Sequence, residues 1–247
     1  MNTPAILKTF HNGKMKEYFV RPEGEMHTDL GIIKLDELRE KTFGDKISTH
    51  LGVELIIQKP RPPDMFIHAR RSGAPMMPKD IGVIISNTGL CSSDSVLDAG
   101  TGSGILAIYL GSIAKRVVTY EIREDFLELA RENFAQAGLA NIELRLGDIE
   151  TEIQKLDEKF DVITLDTMAS SRVVPYVPDI IYPGGFLVTY SPFFEQAKEI
   201  RESIGRTNFV HVRTIETLER EISFSDRGTR PSTARVGHTG FITIARY

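Results

Sequence analysis

The run Ser95-Val96-Leu97-Asp98-Ala99-Gly100-Thr101-Gly102-Ser103-Gly104-Ile105-Leu106 decides the fold. Val96 and Leu97 suit a strand covered on both faces, and three alternating glycines then turn the chain into an apolar helix, expected over 104–112. Lacking Cβ atoms, Gly100, Gly102 and Gly104 let the backbone approach a ligand closely. Ser103 is placed to cap the helix, whose free N–H groups and dipole point into the same crevice. A crevice outside the carboxyl end of a strand is the usual ligand site of an open α/β sheet.

The glycines alone do not name the ligand. Their spacing is Gly-x-Gly-x-Gly, without the final Gly-x-x-Gly step of the dinucleotide fingerprint, and no Gly-Lys-Ser/Thr follows to cradle a triphosphate. Asp98 opens the turn instead, and a carboxylate there repels a pyrophosphate but suits a cationic ligand such as the ammonium and sulfonium of S-adenosylmethionine. The next strand, 116–120, ends in Glu121, about 20 residues on, where an acid can accept from both ribose hydroxyls. A third strand, 142–146, ends in Gly147-Asp148. Either acid alone reads equally well as a solvated loop residue; acids at three successive strand ends form a far more specific pattern.

These residues resemble motifs I, II and III of the class I S-adenosylmethionine-dependent methyltransferases. The resemblance implies an α/β, Rossmann-like sheet and S-adenosyl-L-methionine as cofactor. The cofactor-binding set expected on it is Met77, Asp98, Gly100, Thr101, Gly102, Ser103, Gly104, Glu121, Phe126, Asp148 and Asp166.

The rest of the chain fits one large and one small domain. Residues 1–62 read as a small β-rich unit: apolar runs at 5–10 and 15–20 flank Asn12-Gly13, a strong hairpin signal, with further strands at 31–34 and 53–57. Pro60, Pro62 and Pro63 mark a junction, so 63–247 is the expected cofactor-binding domain. Helices are expected at 80–87, 124–137 and 193–204, with Gly138 stopping the second. A fourth strand, 160–165, ends in Asp166, and a fifth covers 186–190. The segments 210–215, 219–224 and 240–245 are strands with no helices between them, so the sheet should close with an antiparallel pair.

Of the 247 residues, 41% are hydrophobic and 26% charged, which are the proportions of a soluble globular protein, and no apolar run is long enough for a membrane span. With no signal-like start, a cytoplasmic location is expected. The single cysteine, Cys91, excludes an internal disulfide and a multi-cysteine zinc site, and no metal is expected. A net charge of −4 argues against indiscriminate nucleic-acid binding, but it leaves room for a local basic face.

Segments outside the cofactor motifs resemble one branch of the superfamily, the tRNA (adenine-N1)-methyltransferases. These are Met26-His27-Thr28, Thr49-His50-Leu51-Gly52, the loop from Arg71-Ser72 to Pro78-Lys79-Asp80, and the closing Arg235-Val236-Gly237-His238-Thr239-Gly240-Phe241. The closing signature is the most specific, and together the segments span nearly the whole chain. The resemblance implies a tRNA partner, a T-loop adenosine at position 58 with 57 as a further candidate, a small N-terminal β-barrel-like domain and a homotetramer. It makes Asp166 the catalytic residue: a carboxylate accepting from the adenine amino group would fix the base and stabilise charge developing on the ring. Arg227, Arg230, Arg235 and His238 form the candidate RNA-binding set.

One departure stands out. The family usually follows the Asp with a Pro-Trp pair, whereas here Asp166 is followed by Thr167-Met168-Ala169 and the chain has no tryptophan, leaving the shape of the target-base pocket open. Three other functions compete: a methyltransferase of protein isoaspartate or a small molecule, a non-catalytic tRNA-binding subunit, and a nicotinamide oxidoreductase. The first leaves the N-terminal unit and the closing signature unexplained, the second conflicts with an intact glycine turn and Asp166, and the third conflicts with Asp98 and the missing last glycine.

Overall fold

The computed structural model describes residues 1–71, 73–233 and 237–247. The chain forms two compact units, Met1–Ala69 with Asn133–Gly138, and Arg70–Glu132 with Leu139–Tyr247.

In the first unit, β1 (Ala5–His11) and β2 (Lys14–Val20) pair antiparallel around Asn12 and Gly13, both at positive φ, as a two-residue hairpin requires. A short ribbon follows, β3 (Glu25–Thr28) with β4 (Gly31–Lys34), then a 3-10 turn at Leu35–Glu40, β5 (Lys46–Ser48) and β6 (Glu54–Gln58). The main sheet runs β2-β1-β6-β5 over a core that includes Leu7, Ile33, Leu38, Leu55 and Ile57. Helix α1 (Pro62–His68) ends the unit's main segment, with Pro62 in its first turn. The Thr28 and His50 segments meet at the ribbon. Thr28 Oγ1 donates to the Gly31 carbonyl at 2.7 Å, and His50 Nδ1 accepts from the Ile32 N–H at 2.7 Å. Gly31 has φ +112°, and a Cβ there would lie 2.9 Å from His50 Nδ1, so the glycine and histidine require one another.

The second unit begins with α2 (Pro78–Thr88), followed by β7 (Ser95–Ala99), α3 (Ile105–Gly111), β8 (Arg116–Glu121), α4 (Glu124–Ala137) and β9 (Ile142–Leu146). Then come α5 (Ile149–Glu152), β10 (Phe160–Leu165), the short α6 (Ser170–Val173) and α7 (Val177–Ile180), β11 (Ile181–Ser191) and α8 (Phe194–Ile204). Strands β12 (Val210–Glu216), β13 (Ile222–Ser225), β14 (Gly228–Pro231) and β15 (Phe241–Arg246) complete the chain. The seven-stranded sheet has the order β12-β15-β11-β10-β7-β8-β9. Strands β7 to β11 are mutually parallel, and β15 runs antiparallel to both β11 and β12. Chain order reverses at β7, which has β8 on one side and β10 on the other, and this is where an open α/β sheet leaves a crevice.

One expected strand lies elsewhere. The segment read as 219–224 does not enter the sheet; β13 and β14 form a separate ribbon turning at Asp226-Arg227, with Gly228 at φ +126°. A local hairpin forms without the long loop closure that sheet insertion would demand. The sheet's antiparallel closure is made by β12 and β15 alone. No helix among the described residues is long and apolar enough to cross a membrane.

Candidate active site

At the carboxyl ends of β7 to β10 lies a cavity of about 530 Å3. Gly100 and Gly102, Glu121, Phe126, Asp148 and Asp166 all face it, bringing together residues spread over 67 positions of sequence. Thr101 and Ser103 also line the wall.

The glycine turn is fixed from below and from the side. The N–H groups of Gly100 and Thr101 both donate to the Tyr120 carbonyl, at 3.1 and 3.2 Å, and the Thr101 hydroxyl bonds that of Thr119 at 2.6 Å. Glu121 closes the frame: Oε2 accepts from the Gly102 N–H at 2.8 Å and Oε1 from the Arg123 N–H at 3.0 Å. Its carboxylate is thus aimed before any ligand arrives, with lone pairs to spare for hydroxyl donors. The glycines serve different ends. At Gly102 (φ +53°) a Cβ would meet only the Gly100 oxygen, at 3.9 Å, so close approach here is open to a ligand. At Gly100 (φ +90°) it would lie 2.0 Å from the Asp166 carbonyl oxygen, so the glycine is required by the chain's own packing.

Three expectations need correction. Asp98 does not line the cavity. It is 1% exposed and accepts from the hydroxyls of Thr119 at 2.7 Å and Thr164 at 2.6 Å, pinning β7 to both neighbouring strands. Burial pushes its carboxyl up, and the two hydroxyls oppose that shift. Ser103 is not the N-cap residue of α3: the helix starts at Ile105, and its N-cap is Gly104, left-handed at φ +81° and not among the residues lining the cavity. Met76, not Met77, lines the cavity, because extended backbone at Met77 turns successive side chains to opposite sides. Met77 instead supplies a carbonyl that accepts from the Asp80 and Ile81 N–H groups at the start of α2.

Asp148 is half-buried and caps α5, its Oδ1 accepting from the Glu150 N–H at 3.0 Å. Phe126 lines the wall with the Arg123 guanidinium 4.2 Å from its ring centre. Asp166 stands at the end of β10, its N–H donating to the Ala99 carbonyl at 2.8 Å. Its carboxylate has no hydrogen-bond partner among the described residues. Burial, with the Asp98 charge second, pushes it up to about 7. Beyond it, Thr167 and the exposed Met168 continue the wall, held from α8 by Gln196, whose Nε2 donates to the Thr167 carbonyl at 3.2 Å and lies 3.6 Å from the Met168 sulfur.

The RNA-facing set is scattered. His238 is turned into its own chain: Nδ1 bonds Glu216 at 2.7 Å and Nε2 the Pro192 carbonyl at 2.7 Å, and both contacts, Glu216 foremost, raise its pKa. Arg227 and Arg230 are exposed on the β13–β14 ribbon, away from the cavity wall. Arg235 lies outside the described residues.

Sequence reading missed a buried network behind the site. Lys79 Nζ donates to Asp80 and to the Thr239 hydroxyl, both at 2.7 Å, and to the Thr217 carbonyl at 2.9 Å; Asp80 accepts from the hydroxyls of Thr217 and Thr239. Thr239 shares a hydrogen bond with Tyr190, whose hydroxyl burial pushes up to about 12. The Tyr190 ring packs so tightly on Gly240 that a Cβ there would lie 2.4 Å away. A Lys-Asp pair directly after Pro78 was the available signal, and the closing Thr239-Gly240 is explained by these contacts.

Comparison with known proteins agrees with this architecture. A methyltransferase-domain family model matches residues 90–210. The tRNA (adenine(57)-N(1)/adenine(58)-N(1))-methyltransferase TrmI of Methanocaldococcus jannaschii is 34% identical, over 94% of this chain and 91% of its own. The tRNA (adenine(58)-N(1))-methyltransferase TrmI of Thermus thermophilus is 30% identical, over 98% and 96%. Among solved structures, an S-adenosylmethionine-dependent O-methyltransferase from Thermotoga maritima superposes with a TM-score of 0.80 at 26% identity, covering 100% of this chain and 93% of that one. The Aquifex aeolicus tRNA (m1A58) methyltransferase TrmI has the same fold, with a TM-score of 0.74 at 23% identity over 98% and 96%. With a glycine turn that admits a cofactor at Gly102 and two full-length relatives at 30% identity or more, the chain belongs to the TrmI family of S-adenosylmethionine-dependent tRNA (adenine-N1)-methyltransferases.

Proposed function

We propose that the protein methylates N1 of the T-loop adenosine at position 58 of tRNA, with 57 as a second candidate, the activities for which its Methanocaldococcus and Thermus relatives are named. The observation that carries this reading is Asp166, an unpartnered carboxylate on the cavity wall. The cofactor, S-adenosylmethionine, supplies the electrophilic methyl group. On the cavity wall Glu121 would accept from its ribose hydroxyls, Asp148 and Phe126 would help hold it, and Gly102 would give it access. Met168 and Thr167 wall the space beside Asp166, where the target base has to enter. Adenine N1 already holds a lone pair, so the residues need to align the base more than deprotonate it, and no metal is required. An ionised Asp166 accepts from the amino group and stabilises the positive charge growing on the ring.

Tritium transfer from labelled cofactor to unmodified tRNA, compared with an isoaspartyl peptide, tests the reading. Labelling of the peptide but not of tRNA would overturn it. Mapping of the methylated nucleotide by mass spectrometry then separates position 58 from 57.

For the cofactor site, Glu121→Ala is expected to weaken cofactor binding by about 1.5–3 kcal/mol, the range for hydrogen bonds to a charged group. Calorimetry checks this, and unchanged affinity would reduce Glu121 to a brace for the glycine turn.

We also propose a homotetramer acting in the cytoplasm on tRNA, with 1–62 as accessory domain and 63–247 as the catalytic one. The β13–β14 ribbon supports assembly. All eight of its residues are exposed, among them Ile222 and Phe224, and an isolated two-stranded hairpin is marginal in water at best. Its arginines are candidates for phosphate contact. Replacing Arg227 and Arg230 together with Gln should weaken tRNA binding and flatten its salt dependence without altering cofactor affinity. An unchanged salt slope in filter binding removes the ribbon from the RNA.

A further inference from the structure

A second cavity, of about 550 Å3, lies between α8 and strands β12 and β15, outside the site described above. Phe194, Lys198 and Arg201 line it at i, i+4 and i+7, so they form one stripe along α8 about 10 Å long. Phe194 is 71% exposed, yet its ring is fixed by an edge contact with Phe241, 5.0 Å away at 79°. Arg201 spends one N–H on the Thr214 hydroxyl, at 3.3 Å. The cavity also holds two acids: Glu216 is bonded to His238, and Glu202 stands 4.0 Å from Lys198, at the outer limit of an ion pair.

We infer that this cavity is a nucleotide subsite, taking an unpaired nucleotide beside the target adenosine, with its base stacked on Phe194 and its phosphate on Arg201 and Lys198. The inference rests on the tRNA reading and deepens it. An aromatic face followed by cations is how single-stranded nucleic acid is held without reading its sequence. Continuity with the reaction site supports the same occupant. The first turn of α8 faces both ways, since Gln196 holds Thr167 and Met168 beside Asp166 while Phe194, two residues earlier, faces the second cavity. Extracting a base from a structured loop unstacks its neighbour, and that neighbour needs a surface to rest on. In a protein of net charge −4, two cations on one helix stripe beside the reaction site form a local basic feature of the kind a nucleic-acid phosphate pairs with.

The chain has no tryptophan, so Phe194→Trp places a single indole in the cavity. Its fluorescence should be quenched on titration with unmodified tRNA and unaffected by cofactor alone. Phe194→Ala should raise the KM for tRNA about 5–150-fold, the range for losing one base stack, and leave cofactor affinity unchanged. Arg201→Gln should lower the slope of log affinity against log salt by about 0.7. No quenching together with an unchanged KM overturns the inference. So does a smaller assembly for Phe194→Ala in light scattering, which would make the cavity a contact between copies. If the wild-type protein fails to methylate tRNA, it is the reading of the substrate that fails.

Discussion

Asp166→Ala is expected to lower the turnover number for tRNA methylation on the order of 100-fold or more, while the KM for tRNA changes little. The carboxylate contributes where charge develops, so its loss appears in the rate and not in ground-state binding. Asp166→Asn should keep partial activity, because an amide oxygen still accepts from the adenine amino group but carries no charge. The pH profile gives a second readout. With Asp166 pushed up to about 7, turnover should rise with pH as the acid ionises and level off above that value. The Asn variant should lose this rising limb. Stability moves the other way. The folded-state pKa lies above the ordinary 3.8, so the unfolded chain gives up the proton first and the wild type loses stability as pH rises from about 4 through about 7. Asp166→Asn should therefore melt at a higher temperature than the wild type above pH 7, with the gap closing toward pH 4. A fully active Ala variant would falsify the mechanism, and an Asn variant with an unchanged melting temperature at pH 8 would show that burial does not oppose ionisation.

Gly100→Ala should cause the largest loss of stability of any change in the glycine turn. The new methyl would sit 2.0 Å from the Asp166 carbonyl oxygen and 3.3 Å from Thr167 Cγ2, at a φ of +90°. The nearer neighbour is backbone, not a yielding side-chain tip, and it is anchored by the Asp166 N–H on Ala99. Relief requires separating β7 from the end of β10, which breaks that bond and displaces Asp166. We expect failure to accumulate as folded protein at 37 °C, or a melting temperature far below wild type with no measurable cofactor binding. Gly102→Ala is the control. It has room for a methyl and suffers mainly from its left-handed backbone, at a cost of roughly 1–2 kcal/mol, so it should fold and lose cofactor affinity. Equal melting temperatures for the two variants would contradict this division of labour.

The sheet and its ligand edge were legible because parallel strands are written as short Val/Ile/Leu runs, as in 117–118 and 162–163, and because Gly100 to Gly104 cannot be mistaken for helix or strand. Glu121, Asp148 and Asp166 followed from standing at or just beyond the ends of expected strands. Asp98 looked equivalent and is not. It is buried within its strand, and its partners, Thr119 and Thr164, are 21 and 66 residues away, where no local pattern points to them. The same applies to the Lys79 network, joined to Thr217 and Thr239 across 138 and 160 residues. Met76 and Met77 differ only in which side of an extended segment each faces, and a single-residue choice of that kind is decided by packing.

The pair of hydroxyls on Asp98 also settles how the strands line up. Strands β7, β8 and β10 are apolar on both faces, and a parallel ladder of such strands tolerates sliding because one valine packs much like the next. In the observed register Asp98 stands opposite Thr119 on one side and Thr164 on the other. Sliding either neighbour by one residue would send its threonine to the opposite face and strand a buried carboxylate. An acid in the centre of an apolar sheet thereby acts as an alignment mark. Glu121 and Asp166, carried at the ends of the two flanking strands, reach the same height above the sheet because Asp98 permits only one alignment.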